Sequence, residues 1–365
     1  MPEFAISNEE IQSLAGYIYQ ISGIDLDEQK GYLIQTRLKP LLISMGLQSY
    51  QELYHQARAD KTGELEKKII DAISTQETLF FRDQAPFDLF KFKILPELID
   101  KKKTSIGKTK INIWSAACST GQEVYSTAIS LLQVLSDIRD FEIDILGTDI
   151  SEKALAQASY GKYNTFEIER GLPKTILQKY FHPLPDGWRI KDEVRSLVKF
   201  QKQNLMQDFS RLGKFDVIFC RNVAIYFSHQ DKIRIFSRLA KALEPHGYLI
   251  LGGSESLSRD IAPQFESKRY LRATYYHLRQ GQEARPQAEQ GKAQNQVLSA
   301  AKRSPEVKVK QPAAQNSPAH TKKGPPQKPQ GLEPQHPRPG PRRREGAGSG
   351  FHGRRGGLRR LLHGL

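Results

Sequence analysis

Four short apolar runs alternate with amphipathic stretches in the middle of the chain, and this alternation limits the possible folds more than any other feature. The runs are rich in Ile, Val, Leu and Phe and fall at residues 111–116, 141–150, 215–220 and 247–253. Runs of this kind are typical of strands buried on both faces, and the amphipathic stretches between them are typical of crossover helices. The sequence therefore predicts an α/β domain over residues 109–280, in which helices cover a parallel sheet. A last edge strand is predicted near Ala273.

The first 85 residues carry no strand pattern and predict an N-terminal all-α domain, followed by a linker helix to about residue 108. Ser7 and Glu10 form a capping box, after which apolar residues recur at helical spacing. A second helix is predicted to end at Gly46, and a break near Pro40 is left open. Two further helices are predicted, one beginning at Ser49 and one over residues 62–74.

Two segments depart from the strand and helix alternation. Residues 180–205 carry a Pro-Asp-Gly turn signal between short strand-like runs, which predicts a small antiparallel β insertion. Residues 281–365 hold 11 of the 20 prolines and have few apolar side chains, so we expect a disordered tail.

The net charge of +15 resides mainly in that tail, which has 17 lysines and arginines against 5 acidic residues. Residues 1–280 are close to neutral, which argues against nucleic acid as a partner. The two cysteines show no zinc-ligand spacing, so no metal site is predicted. We also expect no signal peptide and no membrane insertion, and a cytoplasmic monomer.

The loop after the first predicted strand reads SAACSTGQE and contains one glycine, Gly121. Loops that cradle a pyrophosphate usually contain three glycines, so this one suits a ligand without phosphate. Glu123 would repel an anion and attract an ammonium or sulfonium group. S-adenosylmethionine (SAM) has both cationic groups, whereas a plain strand-to-helix turn is the alternative.

Polar residues also follow the next two predicted strands. Asp149 ends the second strand, where an acidic side chain can accept both ribose hydroxyls of an adenosine. The alternative is that Asp149 caps the next helix, a role that Ser151 could fill instead. Arg221 and Asn222 follow the third strand and are not part of an NPPY-like motif, which argues against methylation of an amide or an exocyclic base nitrogen.

Together these segments resemble the chemotaxis receptor methyltransferases, the CheR family, over about residues 5–280. The resemblance rests on the order and spacing of six motifs: STQETLFFRD (74–83), WSAACSTGQEVYS (114–126), LGTDIS (146–151), FQKQNL (200–205), FDVIFCRNVAIYF (215–227) and LGGSESL (251–257). It implies a Rossmann-like SAM-dependent methyltransferase that forms methyl esters on glutamate side chains of chemoreceptor cytoplasmic helices.

The resemblance also assigns roles to individual residues. It implies SAM contacts from Gln76, Thr78, Arg82, Gly121 and Glu123, with Arg82 reaching the carboxylate end of the cofactor. It also implies ribose binding by Asp149 and adenine contacts from Asn204, Leu205, Arg221 and Asn222. Tyr226 and Arg82 would orient the reacting carboxylate. The family usually has Asn at the position of Gln76 and Glu at the position of Gln122.

The helical domain of the family helps to dock the receptor, which implies a role for basic residues here. Arg37 and Lys39, with Lys67 and Lys68 further along, could face an acidic receptor bundle, although a solvated helix face explains them equally well. Two alternative functions stay open at this point: a SAM-binding signalling module without transfer activity, and a nucleic-acid methyltransferase that uses the basic tail.

Overall fold

A computed structural model describes residues 5–26, 30–102 and 107–279. These residues belong to one compact unit of the chain. The predicted disordered tail at 281–365 lies outside the described residues.

The N-terminal part is a bundle of four helices, as predicted: α1 (Asn8–Ser22), α2 (Gly31–Met45), α3 (Tyr50–Ala59) and α4 (Glu64–Ile73). Ser7 accepts a hydrogen bond from the backbone of Glu10 and closes the predicted capping box at the start of α1. Gly46 ends α2 in the left-handed conformation. Pro40 lies inside α2 on its exposed face, and the helix continues through it without a break.

A connecting segment joins this bundle to the sheet. Residues 74–84 lead into α5 (Ala85–Leu89), a π-helical turn (Phe90–Ile94) and α6 (Leu95–Lys102). Phe80 and Phe81 are buried in the core of the α/β domain. They fix the path of the connecting segment along the sheet, and Thr78 and Arg82 lie on either side of them.

The main sheet has seven strands in the described residues, in the order β6-β2-β1-β7-β8-β10-β9. They are β1 (Thr109–Ala116), β2 (Phe141–Asp149), β6 (Val198–Lys202), β7 (Phe215–Cys220), β8 (Leu243–Leu251), β9 (Phe265–Tyr270) and β10 (Ala273–Leu278). The first five are parallel, and β10 runs antiparallel to β8 and β9. Helices α7 (Gln122–Val134), α8 (Glu152–Tyr160) and α12 (His229–Ala242) connect them. The predicted α/β class is confirmed, but the predicted edge strand β10 lies inside the sheet, because β9 covers its outer side.

A second, three-stranded antiparallel sheet interrupts the main one after α8. It contains β3 (Lys162–Tyr163), β4 (Phe181–Leu184) and β5 (Gly187–Ile190), with the predicted turn between β4 and β5. Helices α9 (Thr165–Glu169) and α10 (Lys174–Tyr180) separate β3 from β4, and α11 (Asp192–Arg195) follows β5. The antiparallel insertion was predicted over residues 180–205, but it begins earlier, at β3, and ends before β6. β6 belongs to the main sheet, and its polar alternation reflects a position at the sheet's edge rather than in the insertion.

Candidate active site

A cleft lies at the carboxyl ends of β1, β2 and β7, where the strand order reverses on either side of β1. Ligands of open α/β sheets bind at this kind of switch point. The cleft encloses about 1140 Å³ between its atoms, part of it open to solvent. Nine of the predicted site residues line it: Thr78, Arg82, Glu123, Asp149, Asn204, Leu205, Arg221, Asn222 and Tyr226.

The loop between β1 and α7 forms one wall of the cleft and is tied to the end of β2. Ala117 and Ser119 have φ values of 63° and 51°, so the loop turns sharply before α7. The carboxylate of Asp149 accepts hydrogen bonds from the backbone N–H groups of Ser119 at 2.8 Å and Ser151 at 2.9 Å. Burial raises the pKa of this carboxyl. Ser151, not Asp149, caps α8 through a bond from the N–H of Ala154.

Two predicted site residues do not line the cleft, because each faces a neighbouring element. A Cβ on Gly121 would lie 2.8 Å from the Cβ of Ala158 in α8, so this glycine permits close packing rather than ligand approach. The amide of Gln76 donates to the hydroxyl of Ser151 at 2.9 Å, and that hydroxyl donates to Asp71. Gln122, the second departure from the family pattern, is buried and bonds Thr120.

Replacing Gly121 with alanine should destabilise the fold by about 1–3 kcal/mol, since its φ is 93° and the added methyl would collide with Ala158. Gly63 is a matched control, because its φ is 73° and nothing lies within 4 Å of an added Cβ. Urea unfolding of both alanine variants measures the difference. Equal losses of stability at the two positions would contradict the packing role of Gly121.

Arg221 is the centre of a buried ion-pair cluster. Its side chain is 1% exposed and pairs with Glu123 and Asp83, each at 2.9 Å. It also donates to the backbone carbonyl of Arg82 at 2.8 Å. Both terminal nitrogens of the guanidinium already bind protein oxygens, and the contact of Arg221 with adenine stays a prediction.

Polar groups on the other side of the cleft are also held by neighbouring loops. The amide of Asn204 donates to the carbonyl of Ile21 at 3.0 Å, which ties the β6 loop to the end of α1. Glu255 accepts from the backbone N–H groups of Asn222 at 2.6 Å and Ala224 at 3.0 Å. The loop after β7 is thus fixed between β8 and the helical bundle.

Tyr226 and Arg82 both line the cleft and are half-buried. Tyr226 ends a short 3₁₀ turn (Ala224–Tyr226), and its carbonyl accepts a hydrogen bond from the N–H of Asp25 at 2.9 Å. The guanidinium of Arg82 donates to the carbonyl of Glu77 at 2.9 Å. Arg82 forms no ion pair among the described residues, so its charge is available to a ligand in the cleft.

Several residues that shape the cleft were missed by the sequence analysis. Ser22, Ile24 and Leu26, at and after the end of α1, line it, as does Arg37 of α2. The only sequence signal for these residues is Gly23, which marks the end of α1. It indicates where the chain turns but not which element the turn packs against. Asp83, which pairs with Arg221, and Glu255, which holds the loop after β7, were also missed as individual residues, although both lie within quoted motifs.

The basic residues of the helical domain have different surroundings. Arg37 donates to the carbonyls of Ile73 at 3.3 Å and Ser74 at 2.9 Å, so it fastens α2 to the connecting segment. Lys67 pairs with Glu64 at 2.8 Å. Lys39 is half-buried and Lys68 is exposed. Receptor docking by these residues stays a prediction, and Arg37 contributes to the cleft instead of standing free on a helix face.

Cys118 and Cys220 are buried, and burial raises the pKa of both thiols well above the usual value. Because the thiolate is the reactive form, both should react slowly with a thiol-specific disulfide reagent in the folded protein. Both should react rapidly in denaturant. Complete labelling of the folded protein during mixing would contradict their interpretation as packing residues.

Within the described residues, no group of three or more His, Cys, Asp or Glu side chains could hold a metal ion. None of the helices in that part of the chain is long and apolar enough to cross a membrane.

The side chains of the cleft fit SAM by their chemistry. Asp149 offers carboxylate oxygens to ribose hydroxyls, and Glu123 offers an acceptor to an ammonium group. Leu205, Val223 and Phe227 give apolar surface for an adenine ring. The doubly wound sheet and this donor set define the SAM-dependent methyltransferase class.

Comparison with known proteins identifies the family. Residues 76–271 match the model of the CheR methyltransferase, SAM binding domain, and residues 9–74 match that of the CheR methyltransferase, all-alpha domain. The chain is 39% identical over 255 residues to chemotaxis protein methyltransferase Cher2 of Pseudomonas putida, covering 69% of this chain and 91% of that protein. It is 38% identical over 282 residues to chemotaxis protein methyltransferase 1 of Vibrio cholerae, covering 76% of this chain and all of that protein. The chain belongs to the CheR methyltransferase family and is a SAM-dependent methyltransferase of chemotaxis.

Proposed function

We propose that this enzyme transfers the methyl group of SAM to glutamate side chains on the cytoplasmic helices of chemoreceptors, forming methyl esters. The observation that carries the proposal is the position of Arg82 at the cleft, where its guanidinium donates to the carbonyl of Glu77 and forms no ion pair with a described carboxylate. A cation in this position favours an incoming carboxylate. Family membership supports the same substrate.

The lining of the cleft also agrees with a carboxylate as the nucleophile. A glutamate side chain is ionised at pH 7, since its reference pKa is about 4.3, so no base is needed to activate it. The described residues that line the cleft include no histidine or lysine. Bound SAM supplies an electrophilic methyl group on a sulfonium. The protein then has to hold the carboxylate in line with that group and to limit water access.

We assign the orienting role to two side chains. The guanidinium of Arg82 would attract the substrate carboxylate, and the hydroxyl of Tyr226 would donate a hydrogen bond to it. The guanidinium of Arg82 donates to the carbonyl of Glu77, and the backbone carbonyl of Tyr226 accepts from the N–H of Asp25, which fixes the turn that carries the Tyr226 side chain. Preorganisation of this kind reduces the entropic cost of aligning the reactants.

Asp149 and Glu123 are proposed to bind the adenosine and methionine ends of SAM. The ion pair with Arg221 and a hydrogen bond from Ser115 at 2.7 Å hold Glu123 in place at the start of α7. Asp149 is held by two backbone N–H groups, which leaves its remaining lone pairs for ribose hydroxyls. The departures at Gln76 and Gln122 both point away from the cleft, so they give no support to a module without transfer activity.

The receptor is proposed to approach across the helical bundle. Lys39 and Lys68 are the remaining basic candidates for contact with an acidic receptor surface. We further propose that the enzyme works as a monomer in the cytoplasm, where the receptor helices lie.

Incubating the protein with tritium-labelled SAM tests the proposal, with a purified receptor cytoplasmic fragment and an equal mass of total RNA as competing acceptors. Label should appear on the receptor fragment and increase with time, while RNA stays unlabelled. A fragment whose methylation-site glutamates are replaced with alanine serves as the control acceptor. Binding of SAM without transfer to the receptor, or label on RNA, would overturn the proposed function.

A further inference from the structure

We infer that Arg221 is a positioning residue for Arg82, because it holds the turn that carries Arg82 in a strained conformation beside the cleft. The inference rests on the proposed function only for the role of Arg82 in catalysis. Arg221 reaches this turn from the end of β7, about 140 positions away in the sequence, as its hydrogen bond to the Arg82 carbonyl shows.

The turn around Arg82 has an unusual backbone. Phe81, Asp83 and Gln84 have φ values of 52°, 62° and 21°. Asp adopts left-handed conformations more readily than most residues, but a bulky Phe rarely does. Strained conformations persist only where the surroundings hold them, and they concentrate at functional sites. This segment therefore needs partners that fix it.

Arg221 supplies those partners from a fixed position. Its Nη2 donates to the carbonyl of Arg82 at 2.8 Å and to a carboxylate oxygen of Asp83 at 2.9 Å. Its Nη1 donates to Glu123 at 2.9 Å, and its guanidinium lies 5.6 Å from the ring centroid of Phe87. The side chain of Arg221 is 1% exposed, so the surrounding core determines its orientation.

The geometry connects two sides of the cleft through one guanidinium. Nη2 of the guanidinium holds the backbone of Arg82, and Nη1 holds the carboxylate of Glu123 at the start of α7. A lysine at this position would keep the charge, but its single ammonium lacks the planar fork that binds both sides at once. Arg221 therefore acts on the substrate through Arg82 and on SAM through Glu123, and not by its own contact.

A double-mutant cycle tests the inference with Arg221→Lys and Arg82→Ala. Arg221→Lys alone should lower kcat/KM for the receptor fragment about 10- to 100-fold, as expected when a reacting group is displaced. With SAM at saturating concentration, the same change in the Arg82→Ala background should lower kcat/KM for the receptor fragment less than about 3-fold, because SAM occupancy then no longer depends on the support of Glu123 and no positioning of Arg82 remains to be lost. Full additivity of the two changes would overturn the inference.

Asp83→Asn provides a second variant if Arg221→Lys fails to fold. It removes the charge of a half-exposed carboxylate, leaves the pair of Arg221 with Glu123 intact, and keeps a residue type that tolerates positive φ. It should lower kcat while leaving the Kd for SAM within about 3-fold, and this loss should also vanish in the Arg82→Ala background. An unchanged kcat would contradict the positioning role.

The same cycle separates failure of this inference from failure of the proposed function. If Arg82→Ala alone leaves transfer unchanged, both the role of Arg82 and the inference are wrong. If Arg82→Ala is strongly impaired but Arg221→Lys adds its full effect, the role of Arg82 stands and only the positioning by Arg221 is wrong.

Discussion

Asp149→Asn should weaken SAM binding by about 1.5–3 kcal/mol, the scale of a hydrogen bond to a charged group. Both carboxylate oxygens accept backbone N–H groups, one from Ser119 and one from Ser151. The amide of asparagine would turn a donor toward one of these N–H groups and would offer one acceptor fewer to the ribose. The loop that contains Ser119 should therefore be held less firmly, and SAM should lose a hydrogen bond to its ribose.

Isothermal titration calorimetry with SAM measures this loss, and Asp144→Asn is the matched control. Asp144 lies on the same strand and pairs with Lys199 at 3.0 Å, away from the cleft. The control should bind SAM as the parent protein does, and both variants should unfold at similar urea concentrations. Unchanged SAM affinity in Asp149→Asn would contradict the proposed ribose contact.

Arg82→Ala should lower kcat/KM for receptor methylation about 10²- to 10³-fold, comparable with the loss of a donor that stabilises charge at a reacting centre. The physical reason is that Arg82 brings to the cleft a positive charge that forms no ion pair with a described carboxylate. Arg82→Lys should recover part of the activity, since it restores the charge without the planar fork.

Arg259→Ala is the control, because Arg259 is exposed and does not line the cleft. It should keep the activity of the parent protein. If Arg82→Ala retains parental activity while folding normally, another group must orient the substrate carboxylate.

The strands that the sequence predicted well are those buried on both faces. Residues 215–220 were predicted as a strand, and β7 spans Phe215–Cys220 with every residue buried. Strand β9 was missed and β6 was assigned to the antiparallel insertion, because edge strands have exposed polar side chains, and their pattern then resembles a loop or an insertion. Local pattern reports burial, so it fails where a strand is only partly covered.

Prediction of the residues that line the cleft from local sequence pattern is limited in the same way. Asp149, Glu123 and Tyr226 could be placed there because each follows or ends an element whose position in the sheet was predictable. Gly121 and Gln76 do not line the cleft, because each packs against a neighbour distant in sequence, Ala158 for the first and Ser151 for the second. The ion pairs of Arg221 depend on two such neighbours, Asp83 and Glu123, and could not be predicted from spacing.

The wall formed by residues 22–26 depends most on tertiary structure. The described part of this linker reaches the cleft, and the N–H of Asp25 bonds the carbonyl of Tyr226. Such a contact between the helical bundle and the loop after β7 leaves no periodic pattern in the sequence. It means that the helical bundle is part of the cleft as well as a proposed docking surface.

The chemical nature of the transferred methyl bond tests the central claim most directly. Receptor fragment labelled with tritium from SAM is treated with mild alkali, and the volatile methanol is collected and counted. A glutamate methyl ester should release its label as methanol, and a fragment incubated with the Arg82→Ala variant should release far less. Label that stays on the protein after alkali would indicate an alkali-stable N- or S-methyl group and would contradict carboxylate methylation.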